Sequence, residues 1–197
     1  MLTSPIYWGP LPYRVAMRLL YGVRYESRYR LVSGLLPSNC SVVEFCCGCG
    51  FLYERFLSKR GVRYVGIDML VRMVTRLRKL GGEVIVSDVM VADVSRSDYC
   101  IMLGSLYHFY QNEVAVLQRM VNVGDIGILL EPVSNLTTRA IPFISSIAAV
   151  LSYIQGTSSS YRIAMDRLDE ILFRSRVKII SDDLVLNASY RLVVFSK

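Results

Sequence analysis

The feature that most restricts the fold is a rhythm beginning at residue 41, in which short apolar runs alternate with stretches of helical spacing. Ser41-Val-Val-Glu-Phe-Cys46 is an apolar run that ends in a glycine-containing turn, and Phe51 to Arg60 follows with apolar residues at 51, 52, 56 and 57. That order predicts strand, turn, helix. Arg63-Tyr-Val-Gly-Ile67 predicts a second strand, closed by Asp68. In Leu70 to Leu80, residues Leu70, Met73, Val74, Leu77 and Leu80 share one stripe while Arg72, Arg76 and Lys79 lie off it, which predicts an amphipathic helix stopped by Gly81-Gly82. Glu83-Val-Ile-Val-Ser87, ending at Asp88, reads as a third strand and Asp98 to Leu103 as a fourth. Gln111 to Val121 reads as a helix, and Ile126 to Glu131, terminated by Pro132, as a fifth strand. Strands alternating with helices imply βαβ units and a parallel sheet covered on both faces.

The end of the chain departs from this rhythm. Helical spacing near Ile141–Ile154 and Ala164–Phe173 is followed by two β-rich runs, Val177–Leu186 and Tyr190–Phe195, joined by Asn187-Ala188-Ser189. So short a connection permits only an antiparallel pair. Residues 6–36 carry helical spacing at Val15, Leu19 and Leu20, then at Tyr29, Val32, Leu35 and Leu36, which predicts one or two leading helices. The expected architecture is α/β. It has a doubly wound, mostly parallel seven-stranded sheet with a C-terminal antiparallel hairpin, helices on both faces and an N-terminal helical extension.

The 197 residues are 53% hydrophobic and 20% charged, with a mean hydropathy of +0.38, which excludes a disordered chain. The length suits one domain over 1–197, with a helical cap over 1–37 and substrate-side helices over 133–175. The longest stretch without charge, Ala140 to Tyr161, is mainly apolar only to Ile154 and contains Pro142, Ser145, Ser146 and Ser152. A span needs about 20 consecutive apolar residues, so no membrane span is expected there. A buried or lid helix, or a homodimer face through 140–154, is expected instead. With no basic segment leading into an apolar run at the N-terminus, a cytoplasmic location is expected. Five cysteines, three of them at 46, 47 and 49, do not form a spaced disulfide framework. Cys46-Cys-Gly-Cys49 contains a C-x-x-C, but a structural zinc site needs four ligands and only Cys40, Cys100 and one histidine remain, so small residues packed under a turn explain it better. The net charge of +7 is uneven: residues 1–80 hold thirteen Lys and Arg against four Asp and Glu, and residues 81–197 hold ten against twelve. Such a bias marks either solvated helix faces or a surface for nucleic acid or another anion.

In an open α/β sheet ligands bind beyond the carboxyl ends of the strands. There the sequence places Glu44 to Gly50, Asp68, Asp88, Gly104 to His108, and Glu131. Gly50 and Asp68 are 18 positions apart, close to the roughly 20 of a nucleoside-binding βαβ unit. In such a unit a glycine turn admits the ligand and a carboxylate accepts from a ribose diol.

Five segments, in order over about residues 38–135, together resemble class I S-adenosylmethionine-dependent methyltransferases, in particular the small-molecule branch of ubiquinone and menaquinone biosynthesis. They are Val42-Val-Glu-Phe-Cys-Cys-Gly-Cys-Gly50, Tyr64-Val-Gly-Ile-Asp68, Val86-Ser-Asp-Val89, Asp98-Tyr-Cys-Ile-Met-Leu-Gly-Ser-Leu-Tyr-His108 and Gly124-Asp-Ile-Gly-Ile-Leu-Leu-Glu-Pro132. The resemblance implies S-adenosylmethionine as cofactor. It implies cofactor-binding roles for Glu44, Cys46, Gly48, Gly50, Asp68, Met69, Asp88, Val89 and Gly104: Asp68 toward the ribose hydroxyls, Asp88 toward the adenine amino group, the Glu44–Gly50 turn toward the methionine moiety and Gly104 beside the sulfonium. Cys46 departs from the family by standing where the first glycine of the turn is usual, and its Cβ is strained if φ there is positive.

His108 and Tyr107 are the candidate catalytic pair. Two readings of His108 stand: a general base for an acceptor hydroxyl or amine, and a packed residue of the turn. Tyr7, Trp8, Tyr13, Tyr21, Tyr25 and Tyr29 crowd the N-terminal segment, either as an aromatic lid or as core and surface packing. The expected acceptor is a small or medium organic molecule. The alternatives are a tRNA or rRNA acceptor reached through the basic N-terminal half, and a non-catalytic binding protein of the same fold.

Overall fold

The computed structural model describes residues 8–22, 24–133 and 163–197. Seven strands form one sheet: β1 (Ser41–Phe45), β2 (Arg63–Asp68), β3 (Glu83–Val86), β4 (Ser97–Leu103), β5 (Gly124–Pro132), β6 (Lys178–Val185) and β7 (Tyr190–Ser196). Their spatial order is β3-β2-β1-β4-β5-β7-β6. The first five are parallel, and β7 enters antiparallel between β5 and β6. The α/β architecture read from the sequence is the one observed.

Side-chain alternation along the strands sorts the core into two layers. Val42, Tyr64, Ile101, Leu103, Ile128 and Leu130 point to one face, and Val43, Phe45, Ile67, Cys100, Met102 and Leu129 to the other. The first face is covered by α1 (Pro10–Tyr21), α2 (Arg24–Gly34), a π-helical turn (Tyr53–Leu57) and α3 (Val71–Lys79). The second is covered by α4 (Glu113–Val123) and α5 (Met165–Ser175). α3 buries Met73, Val74 and Leu77, the stripe its spacing predicts. The expected helix over 51–60 is instead wound as a π turn, in which the Ser58 amide donates to Tyr53 O at 2.9 Å. Leu57 then reaches the core while Tyr53 lies against Tyr64, ring centroids 4.9 Å apart.

Other boundaries shift for identifiable reasons. α4 starts at Glu113 rather than 111 because Gln111 is left-handed, at φ 70. Pro132 does not end β5 but makes its last ladder pair, with Tyr190. The leading helices are present; Tyr29, Val32 and Leu36 are buried as the spacing predicts, Tyr25 is buried with them, and Leu35, expected on the same stripe, is exposed. Val15 and Leu19 of α1, however, face outward. Arg60 anchors the end of α2 by donating to Ser33 O at 2.7 Å and to Leu36 O. The β6–β7 turn runs through Leu186, Asn187 and Ala188, all at positive φ. Arg191 clamps that hairpin to α5, with Nη2 2.6 Å from Asp182 and Nη1 2.7 Å from Asp169. The predicted helix over 141–154 and the dimer face over 140–154 lie outside the described residues.

Candidate functional site

The carboxyl ends of β1 to β5 converge on one edge of the sheet, and the glycine-bearing turn after β1 is its floor. In that turn the Gly48 amide donates to Asp68 Oδ2 at 2.8 Å and the Gly50 amide to Cys47 O at 3.0 Å. Gly48 and Gly50 sit at φ 55 and 68, conformations that L side chains rarely adopt. A Cβ on Gly50 would also fall 2.8 Å from Leu77 Cδ1, so the turn closes down on α3. Cys46 takes the same left-handed conformation, at φ 54, with a side chain attached. The condition for strain that the sequence raised is therefore met.

The cysteine cluster is packing. Cys47 lies against β2, its Sγ 2.7 Å from where a Cβ on Gly66 would be, and Cys49 is in the core. Burial pushes the thiols of Cys46 and Cys47 far up, and that of Cys49 to about 11, so they stay protonated at neutral pH. All five cysteines are free, and no group of three or more His, Cys, Asp or Glu among the described residues is placed to hold a metal ion.

Four strand-end carboxylates surround this turn. Cys46 feels Asp68, Asp88, Glu44 and Glu131 together, each raising its thiol pKa after burial itself. Asp68 accepts from the amides of Gly48 and Leu70, both at 2.8 Å, one on each oxygen, and burial raises its pKa against those bonds. A carboxylate has about four lone-pair positions, so acceptor capacity remains on both oxygens. Asp88 Oδ1 accepts from the Met90 amide at 2.9 Å. Glu44 is buried and accepts from Tyr64 Oη at 2.5 Å. Burial is the largest influence on it and pushes its pKa up to about 8; the Tyr64 bond lowers it, Asp68 raises it and Arg28 lowers it. Glu131, fully buried, accepts from the Leu106 amide at 3.2 Å and so ties the end of β5 to the turn after β4.

On that turn Gly104 has φ 59, and the 3₁₀ segment Leu106–Phe109 carries half-buried Tyr107 and His108, ring centroids 3.9 Å apart. Met69 is exposed after β2, and Val89 is buried after Asp88.

Two residues at this edge were not singled out from the sequence. Arg28 comes from α2, is buried, donates to Tyr29 Oη at 2.9 Å and lies over the Tyr25 and Tyr29 rings at 4.8 and 4.7 Å. Its Nη1 is 3.7 Å from where a Cβ on Gly104 would be, so a positive charge stands beside the turn after β4. No motif signals Arg28. Tyr64 was readable: it lies two residues before Gly66, the ladder partner of Glu44, and so on the same face. Of the N-terminal aromatics, Tyr25 and Tyr29 pack in the core against Phe51 at 5.0 and 4.8 Å, while Trp8 is exposed.

No known protein-family model matches the chain, and no curated protein sequence matches it. Solved structures do. A chain of the complex between the Haloferax volcanii Trm112 methyltransferase activator and a methyltransferase superposes with a TM-score of 0.74 at 10% identity, covering 100% of this chain and 99% of that one. Magnesium protoporphyrin IX methyltransferase from Synechocystis, with bound S-adenosylhomocysteine, gives 0.61 at 18%, covering 86% and 79%. TnmH gives 0.66 at 16%, covering 94% of this chain, which spans 57% of TnmH. The chain has the class I S-adenosylmethionine-dependent methyltransferase fold.

Proposed function

We propose that this chain is an S-adenosylmethionine-dependent methyltransferase acting on a small or medium organic acceptor. The observation that carries the reading is the convergence of Glu44, Asp68, Asp88 and Glu131 on the left-handed turn at Cys46–Gly50. A ring of carboxylates around a glycine turn suits a cationic nucleoside, because it offers acceptors for hydroxyl and amino donors and a negative field for positive charge. In this reading Asp68, with acceptor capacity to spare, takes the ribose hydroxyls beside exposed Met69, and Asp88, next to Val89, takes the adenine amino group. The Cys46–Gly50 turn and Gly104 flank the methionine portion. Glu44 and Arg28 stand on either side as a charge pair, Arg28 toward the α-carboxylate and Glu44 toward the ammonium and sulfonium. Below pH 8 Glu44 holds a proton in the free protein, and a cation brought beside it favours the carboxylate.

When bound, the cofactor supplies a methyl group already activated by its sulfonium. What the chain must then do is orient the acceptor in line and keep water out. Tyr107 and His108, on the turn after β4, face the acceptor side, and His108 takes the proton from an acceptor hydroxyl or amine as the methyl arrives.

Calorimetry with S-adenosylmethionine and S-adenosylhomocysteine tests the reading directly. Binding of both is expected, and Asp68→Ala weakens it at least tenfold, the loss of about 1.4 kcal/mol or more of charge-assisted hydrogen bonding. Absence of heat with either ligand would leave a non-catalytic protein of the same fold, and unchanged affinity in Asp68→Ala would place the site elsewhere.

A further inference from the structure

α1 carries two apolar stripes rather than one. Tyr13 and Met17 pack inward on the core. On the opposite side Leu11, Val15 and Leu19, at i, i+4 and i+8, are 73%, 50% and 82% exposed, and Trp8, three residues before Leu11, is 59% exposed. Arg18 is the one charge on that outward arc. A helix face turned to water is normally polar, so this one lacks the composition of a solvated surface.

The ridge is held in place. Arg14, on the flank of α1, pairs with Glu54 at 2.8 Å and lies over the Phe51 ring at 4.9 Å, and Glu54 in turn holds Arg76 of α3 at 2.5 Å. The apolar side is therefore presented outward by an anchored helix.

The layer that bears the ridge is strongly basic. α1, α2, α3 and residues 53–60 contain twelve Lys and Arg against two Glu, whereas α4 and α5 on the other face contain three Arg against four Asp and Glu. Arg18, Arg55, Lys59, Arg72, Arg78 and Lys79 are exposed. An exposed aliphatic ridge with a tryptophan at its start, set in a basic layer, has the chemistry of an interfacial element: apolar side chains enter the acyl boundary, the indole sits at headgroup level and the cations meet lipid phosphates. A second copy of this chain meets the ridge in a symmetric dimer only by bringing one basic layer against another. Nucleic acid answers the cations but finds, in Leu11, Val15 and Leu19, aliphatic side chains on which no base stacks. No helix among the described residues is long and apolar enough to cross a membrane, so the contact is peripheral.

We propose that this face seats on an anionic phospholipid surface, with the Trp8–Leu11–Val15–Leu19 ridge entering the headgroup boundary and the surrounding arginines and lysines pairing with lipid phosphates. The inference is independent of the proposed reaction.

Trp8 is the only tryptophan of the chain, so its fluorescence reports the ridge directly. With vesicles of phosphatidylcholine and phosphatidylglycerol at 100 mM salt, a blue shift of emission and co-sedimentation are expected, at least tenfold stronger than with phosphatidylcholine alone. The double variant Leu11→Ser, Leu19→Ser should lose the blue shift and at least tenfold in partitioning at unchanged melting temperature. Arg72→Glu combined with Arg78→Glu should weaken binding to the anionic vesicles and leave the residual binding to neutral ones as it was. The proposal is overturned by any of three results: absence of binding to both vesicle types; tRNA binding at 150 mM salt that outcompetes the anionic vesicles and is unchanged in the Leu11, Leu19 variant; or a wild-type dimer that the same variant dissociates.

Discussion

Glu44 offers the sharpest test of the site's electrostatics. The residue is 3% exposed, and burial lifts its pKa from the ordinary 4.5 to about 8 in the folded protein. As pH rises through that window the unfolded chain releases the Glu44 proton while the folded chain keeps it. Folding is then disfavoured by about 1.4 kcal/mol per pH unit. The stabilisation is complete below pH 4.5 and is lost as pH rises through 8. Integrated between pH 5 and pH 8.5, the loss is about 4 kcal/mol. Glu44→Gln keeps an oxygen to accept from Tyr64 Oη and removes the titration. Asp68, which burial shifts in the same direction, titrates in both proteins and cancels in the comparison. Urea unfolding at pH 5, 6, 7, 8 and 8.5 should therefore show the wild type losing about 4 kcal/mol relative to Glu44→Gln. Two curves that stay parallel to within about 1 kcal/mol across the range would mean that Glu44 ionises as an ordinary surface carboxyl, and the reasoning that burial holds its proton in the free protein would fail with that result.

Cys46 occupies φ 54, a conformation in which a β-branched residue is a genuine outlier. Cys46→Val should cost about 2 kcal/mol or more in chemical denaturation, whereas Cys46→Gly should stay within about 1 kcal/mol of wild type, because relief of strain offsets the entropy that glycine adds to the unfolded chain. Arg28→Met keeps much of the apolar volume over Tyr25 and Tyr29 and removes the charge. The Michaelis constant for S-adenosylmethionine should rise about tenfold or more with kcat changed less, while a decarboxylated analogue of the cofactor should bind both proteins equally. His108→Asn should lower kcat by about a hundredfold or more if the imidazole accepts the acceptor's proton, and a loss of only a few-fold at unchanged cofactor affinity would make His108 a packing residue of its turn.

The parallel core was legible because its strands are apolar runs closed by a carboxylate or a glycine-bearing turn, and those closing residues lie together at the carboxyl edge of the sheet. Asp68 and Asp88 could be placed before any coordinates for that reason. What the sequence conceals is set by contacts across the fold. The π turn at Tyr53–Leu57 has an ordinary helical pattern, and one shifted hydrogen bond, from Ser58 to Tyr53, decides which side chains reach the core. Arg28 lies in a segment that precedes every motif, in a run of arginines and tyrosines that reads as a solvated helix, and only the packing of α2 over the carboxyl ends of the strands brings its guanidinium beside Gly104. A charge that reaches its site through tertiary packing leaves no spacing to read.

The contrast between α1 and α2 shows the same limit in apolar residues. Helical spacing identifies a face but not what the face meets. Tyr29, Val32 and Leu36 obey the same rule as Leu11, Val15 and Leu19, yet the first set is buried and the second exposed. The deciding residues are the remaining ones on each helix. In α2 the other positions are mostly polar or charged, so only one orientation buries apolar surface. In α1, Tyr13 and Met17 compete with the longer aliphatic stripe and go inward, because Arg14, on their flank, finds Glu54 and the Phe51 ring there. Orienting α1 the other way would bury more aliphatic surface but strand Arg14 and leave Glu54 without one of its two arginines. The polar contacts thus fix which stripe faces water, and they leave outward the one surface of the helix whose composition suits a partner.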